Sequence, residues 1–325
     1  MTLAEKLSAA RRGAAVGPVV ARGVLRLAGK DARDYLHRMS TQHLARLAPG
    51  ESAYAAFLTA RGHLVGDGLV VARPGDLLVL TEPAAAAPLA SHLRKFVIMD
   101  DVVVEDVSAS WRVLPVLGPR GIEQARAAAA SGARGAAASG APGAGSAVAA
   151  PGVAALAATP RRGAPALEVV AGDEAASWLR DRLLAAGAAE LSEADLEALR
   201  LEAGLAQFGV DMDGDRLPME AGLTRDAIHF DKGCYVGQEV VLRATVRGHL
   251  QKGLVQLELP AGAGPGARLR AGGLEVGWVT SAGETSGGRL GLGYVKRAWW
   301  KEGAALETDA GPATVRSVVV HEPEA

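Results

Sequence analysis

Apolar positions in the first hundred residues fall into short runs that switch between strand and helix period. Residues 19–28 (Val-Val-Ala-Arg-Gly-Val-Leu-Arg-Leu-Ala) predict a strand stopped by Gly29. Residues 31–39 follow as a short amphipathic helix, with Tyr35, Leu36 and Met39 at helical spacing. Residues 54–58 and 64–71 read as two strands around a turn at Arg61-Gly62. Pro74-Gly75-Asp76 makes a second turn, and 77–81 a third strand. Strands alternating with helices in this way indicate a mixed α/β layer structure.

Between residues 121 and 160 the pattern thins, because 25 of these 40 positions are Ala or Gly. A disordered linker would fit that composition. An Ala-rich helix near 122–131, a loop and a weak strand fit it better, since Ala is the best helix former. Periodicity resumes at 167–170 and 173–186. The resulting strand, helix, strand, strand, helix order would make a ferredoxin-like subdomain over about 111–190. Residues 192–203 predict a helix with Ser192 as N-cap, Asp195 three positions on, and Leu196, Leu199 and Ala203 as its buried stripe. Gly204 would end it. From Lys252 onward, short apolar runs at 254–259, 274–280, 290–295 and 313–320 alternate with Gly/Pro turns, the texture of a small antiparallel barrel. The boundary is expected near 246–253, giving domains of 1–250 and 251–325.

Composition narrows the function classes. The 35 basic and 36 acidic residues leave a net charge of −1, so no global field favours nucleic acid or an anionic membrane. The Arg excess accompanies Ala and Gly excess and reads as compositional bias. A single cysteine excludes an internal disulfide and a self-contained cysteine-ligated cluster, and it fits a reducing compartment. No secretory leader and no run of about 20 apolar residues is evident, so a cytoplasmic protein without a membrane span is expected.

That cysteine, Cys234, lies in Lys232-Gly233-Cys234-Tyr235-Val236-Gly237-Gln238-Glu239. A lone cysteine is commonly a small buried hydrophobe. Here a cation two residues upstream and two flanking glycines also suit a thiolate, whereas Glu239 opposes one. Seven histidines show no metal-site spacing. Asp211–Asp215 superficially resembles a calcium loop, but its twelfth position is Gly222 and not Glu. Asp67, after the Arg61-Gly62 turn, fits either a turn-capping or a site carboxylate. Glu202, at the edge of its helical stripe, fits either a solvated face or a cleft. Arg243, Arg247, His249 and Lys252 form a modest basic stripe, read as a solvated strand face or as an anion site for a polyglutamate tail, a phosphate backbone or an acidic partner.

The octapeptide matches the K-G-C-Y-x-G-Q-E signature of the YgfZ family. Arg200-Leu201-Glu202-Ala203-Gly204-Leu205 and Pro218-Met219-Glu220-Ala221 resemble the R-x-E-A-G-L helix end and the following segment of the glycine cleavage T-protein. Residues 27–31, 35–37 and 59–63 look like the same family's N-terminal strand, helix and hairpin. The resemblance covers most of the chain and is weakest over 121–165. It implies an α+β fold: a ring of a split α/β subdomain and a ferredoxin-like subdomain, with a C-terminal antiparallel β-barrel.

The resemblance also implies a tetrahydrofolate site in which Glu202 contacts the pterin, whose edge offers paired N–H donors. Asp67 matches the second of two consecutive aspartates of the T-protein; here the first is Gly66. Tyr35, Tyr54, Phe57 and Phe208 are the rings available to stack on a pterin. The implied function is a folate-binding accessory protein for maturing or repairing iron–sulfur proteins, with an indirect effect on tRNA modification and weak tRNA contact. Cys234 would be the working thiol, favoured by Lys232, with Tyr235, Gln238, Glu239 and Arg243 orienting the loop or contacting the folate. A folate-dependent aminomethyltransferase and a ligand-free scaffold for protein or tRNA are the alternatives. A monomer is expected.

Overall fold

The computed structural model describes residues 1–136, 152–247 and 250–320, with side chains described outside 131–136 and 246–247. The chain opens with α1 (Leu3–Arg12), β1 (Ala15–Val16), β2 (Gly23–Ala28), α2 (Ala32–Met39), β3 (Ser52–Leu58), β4 (Leu64–Arg73), β5 (Asp76–Thr81), α3 (Pro83–Lys95) and β6 (Val103–Asp106). There follow β7 (Arg112–Leu117), α4 (Pro119–Ala136), β8 (Val153–Thr159), β9 (Ala166–Ala171), α5 (Asp173–Ala185), β10 (Ala189–Glu190) and α6 (Glu193–Glu202). The last third holds α7 (Thr224–Ala227), α8 (Gln238–Leu242), β11 (Lys252–Glu258), β12 (Arg268–Ala271), β13 (Leu274–Thr285), β14 (Gly288–Lys296), β15 (Ala305–Thr308) and β16 (Gly311–Val318).

These elements form two compact units. The first comprises Met1–His37, His43–Tyr54 and Gly68–Leu196. Within it, β7-α4-β8-β9-α5-β10 gives a five-stranded sheet in the order β10-β1-β7-β9-β8. That is the ferredoxin-like order with one addition: the N-terminal β1 lies between β10 and β7, parallel to the former and antiparallel to the latter. Val16, Leu114, Val116, Leu167, Val169 and Leu179 are fully buried in the core of this sheet and its helices. A second sheet has the order β3-β4-β5-β2-β6, and β2 pairs antiparallel with both β5 and β6. The Ala-rich region resolves into α4 and β8. The loop expected between them lies outside the described residues.

The second unit comprises Arg38–Gln42, Ala55–Asp67 and Glu197–Ala325. Its centre is a closed six-stranded barrel, β11-β14-β13-β12-β15-β16, filled by Val255, Leu257, Val279, Val295, Leu306 and Val315. Residues of the other parity, among them Gln256, Trp278, Thr280 and Tyr294, lie on the outer face, as the two-residue strand period requires. Segment 200–223 packs there. Leu254 N–H donates to Glu220 O at 2.8 Å, and Gln256 Nε2 donates to Leu201 O. A register shift between Val279 and Ser281 turns two consecutive hydroxyls, those of Thr280 and Ser281, onto Asp211 Oδ1. Bulges re-aim side chains in this manner. Asp211 Oδ2 accepts from Arg200 Nη1 and from Gln207 N–H, so its fully buried carboxylate is a structural clasp. No helix of the described residues is long and apolar enough to cross a membrane.

Candidate functional site

Cys234 is free and exposed, which removes the buried-hydrophobe reading. The loop that carries it is held by main-chain and side-chain bonds within the second unit. Thr41 is buried and acts as the hub: its N–H donates to Ala56 O at 3.0 Å, and its hydroxyl reaches Ala56 O and Ala227 O. His229 N–H donates to Thr41 O at 3.0 Å, and Val236 N–H donates to Arg38 O at 3.2 Å. The segment 227–236 is thereby laced to residues 38–41 on both sides of the cysteine.

Lys232 supplies a third tie. Its ammonium donates to Ser40 O at 2.7 Å and to Gln42 O at 2.8 Å, and it lies 5.1 Å from the centroid of the Tyr235 ring. The side chain expected to favour the Cys234 thiolate thus spends donors on two carbonyls. Burial pushes its pKa down to about 7. The two carbonyl acceptors pull the other way. Burial likewise pushes the Tyr235 phenol up to about 12.

Two glycines fix the far side of the loop. Gly237 has φ +84°, and a Cβ there would stand 2.7 Å from Thr59 O. Gly62, in the β3–β4 turn, has φ +77°, and its Cβ would meet Val240 at 2.7 Å. The octapeptide and the hairpin turn therefore approach each other at backbone contact distance, which only residues without a Cβ permit. Gln238 closes the turn by accepting from Tyr235 N–H at 3.3 Å. Glu239 pairs with Arg243 at 2.6 Å, four residues apart, both mostly exposed. Of the expected basic stripe, Arg243 is met by that carboxylate and Lys252 lies on the Trp278 ring. The Arg247 side chain and His249 lie outside the described residues.

Glu202 is half-buried at the end of α6. Its Oε1 accepts from the Ser286 N–H at 2.9 Å and hydroxyl at 2.6 Å, at the tip of the β13–β14 hairpin. Asp67 is buried in β4. Of the four candidate stacking rings, Tyr35 and Phe57 are core residues, and Tyr54 carries Arg161 on its face at 4.9 Å; Phe208 is half-buried. Among the described residues no three His, Cys, Asp or Glu side chains converge as metal ligands. Thr41 escaped the sequence reading of the site, because its partner Ala227 lies far along the chain.

Residues 2–232 match the family model of the GCVT N-terminal domain, and residues 252–324 match that of the glycine cleavage T-protein C-terminal barrel domain. The chain belongs to the glycine cleavage T-protein family. An aminomethyltransferase of Rubrobacter xylanophilus is 32% identical over 84% of this chain and 73% of its own. One from Thermosynechococcus vestitus is 29% identical over 93% and 82%. The crystal structure of glycine cleavage system aminomethyltransferase T from Bartonella henselae superposes with a TM-score of 0.76 at 21% identity, covering 98% of this chain and 90% of that one. The T-protein-like fold, mixed α/β followed by a closed barrel, is common to both. Gly237 and Gly62 hold the loop that carries the exposed thiol against the β3–β4 turn.

Proposed function

We propose that this chain is a tetrahydrofolate-binding accessory protein for maturation or repair of iron–sulfur proteins, YgfZ-like, acting through Cys234. The observation that carries the reading is the exposed thiol on a loop braced at Thr41, Lys232, Gly62 and Gly237. Bracing of this density around one exposed nucleophile suits a thiol that must meet an incoming group in fixed geometry. One thiolate cannot hold a cluster alone. It can form one bond to a cluster, a client protein or a thiol adduct.

The donor set is chemically suited to folate. Pterin edges present paired N–H donors, and the carboxylates of Glu202 and Asp67 are acceptors of the required kind. When bound, tetrahydrofolate would supply one-carbon carrier chemistry. Glu202 would orient it, with Ser286 holding the carboxylate. Iron–sulfur clients, weak tRNA contact and a cytoplasmic setting belong to the same reading.

The names of the relatives favour a second reading, folate-dependent aminomethyl transfer. Gly66, in place of the first aspartate of the T-protein pair, argues against it. A deletion strain complemented with Cys234→Ser at wild-type protein level decides between them. Loss of iron–sulfur enzyme activity is expected. Full activity of those enzymes, together with turnover of an aminomethyl-lipoyl donor by the purified chain, would establish the second reading in place of the first.

A further inference from the structure

Two cations beside the outer face of the barrel form no salt bridge, although the Glu220 carboxylate feels both. Among the described residues, the side chains of Arg216 and Lys252 enter no ion pair and no hydrogen bond. Arg216 lies over two rings, 5.2 Å from the centroid of Trp278 and 4.9 Å from that of Tyr294. The Lys252 ammonium is 5.7 Å from the Trp278 centroid. Trp278 and Tyr294 are register partners on β13 and β14, stacked at 5.4 Å and 24°.

The Tyr294 hydroxyl is the second observation. The residue is fully buried, and its hydroxyl has no hydrogen-bond partner among the described residues. Burial holds the phenol protonated far above neutrality, against the pull of Arg216, so the orphan is a donor. Three carboxylates lie near that hydroxyl: Asp211 is committed to its clasp, Asp213 accepts from Asp215 N–H at 3.0 Å, and the buried Glu220 accepts from Leu217 N–H at 3.3 Å without bonding either cation. Burial raises its pKa, opposed by Lys252, Arg216 and His63.

Cation–π bracing accounts for part of this arrangement. It leaves the buried donor unsatisfied, which is unfavourable for a polar atom out of reach of water. We propose that Arg216, Lys252 and the Tyr294 hydroxyl form an anion site on the outer barrel face, beside segment 205–223, that takes a phosphate group. The planar guanidinium edge presents paired donors, the ammonium a point charge, and the phenol a single donor. A phosphate ester offers three acceptor oxygens and about 1.5 to 2 negative charges at neutral pH, which matches three donor groups and two cations. A carboxylate, with two oxygens and one charge, matches them less well.

Calorimetric titration of the full chain with inorganic phosphate at low ionic strength tests the site. One saturable site is expected, weakened at least about tenfold in Arg216→Met and in Lys252→Met, about 1.4 kcal/mol each. Tyr294→Phe should weaken phosphate binding while leaving the thermal midpoint unchanged or raised, because it removes an unsatisfied donor. Adenosine monophosphate binding tighter than inorganic phosphate identifies a phosphate ester as the natural occupant, and equal affinity identifies the free anion. Absence of a saturable site, unchanged affinity in the Arg216→Met/Lys252→Met double variant, or tighter binding of acetate than of phosphate overturns the proposal.

Discussion

An ammonium buried to 9% exposure is disfavoured by loss of water, and Lys232 is held in that position by the carbonyls of Ser40 and Gln42. Its folded pKa, about 7, lies below the ordinary lysine value. Between that value and the unfolded pKa, the unfolded chain binds the extra proton, so stability rises with pH. Below pH 7 both states are protonated and the full penalty persists. Urea unfolding at pH 7.5 and 9.5 should therefore show a gain for the wild type that Lys232→Met lacks, with a slope of up to about 1.4 kcal/mol per pH unit. Parallel pH profiles for the two proteins would refute the burial assigned to this lysine. The same residue illustrates how far a motif can be read locally. The octapeptide advertised a cation near a thiol, but the partners of that cation, 190 and more positions away, were invisible in the sequence.

At the scale of elements, α6 shows what local chemistry does and does not specify. Ser192 N–H donates to Asp195 Oδ2 at 2.7 Å, and the Ser192 hydroxyl accepts from Asp195 N–H at 3.2 Å, so the reciprocal cap read from the sequence forms. Lys6 adds an ion pair to Asp195 at 2.8 Å. Ser192→Ala should cost about 1 kcal/mol in chemical denaturation, and an unchanged midpoint would show the cap to be idle. The buried stripe came out differently: Leu199 and Leu201 are buried, Leu196 is half-buried and Ala203 is exposed. The helix ends at Glu202, so position 203 no longer lies on its face. The apolar run 19–28 likewise splits. Val20 bridges to Val113 beside β7, whereas Gly23–Ala28 joins β5 and β6 in the other sheet. A continuous apolar stretch does not announce a change of sheet. Two barrel strands, Arg268–Ala271 and Ala305–Thr308, were too short and too charged to stand out.

At the scale of the molecule, the C-terminal barrel was legible because the change of texture near Lys252 is strong and its turn residues are explicit. Long-range polar clasps were not. Asp211 sits in a run that resembled a calcium loop, yet its carboxylate is fully buried and accepts from Arg200, Gln207, Thr280 and Ser281. Removing one partner of a buried pair leaves the other charge uncompensated, so Asp211→Ala should destabilise the protein by about 3–5 kcal/mol in urea unfolding. A cost under about 1 kcal/mol would show that the clasp is dispensable. In the proposed function the exposed thiol and a folate held by Glu202 act together, and their coupling is measurable. It is tested most directly by the rate of Cys234 alkylation as tetrahydrofolate is titrated onto the wild type and Glu202→Ala. A saturable change in rate is expected for the wild type, with its midpoint raised at least about tenfold in the variant, the loss of roughly one charged hydrogen bond. An alkylation rate indifferent to tetrahydrofolate in the wild type would contradict it.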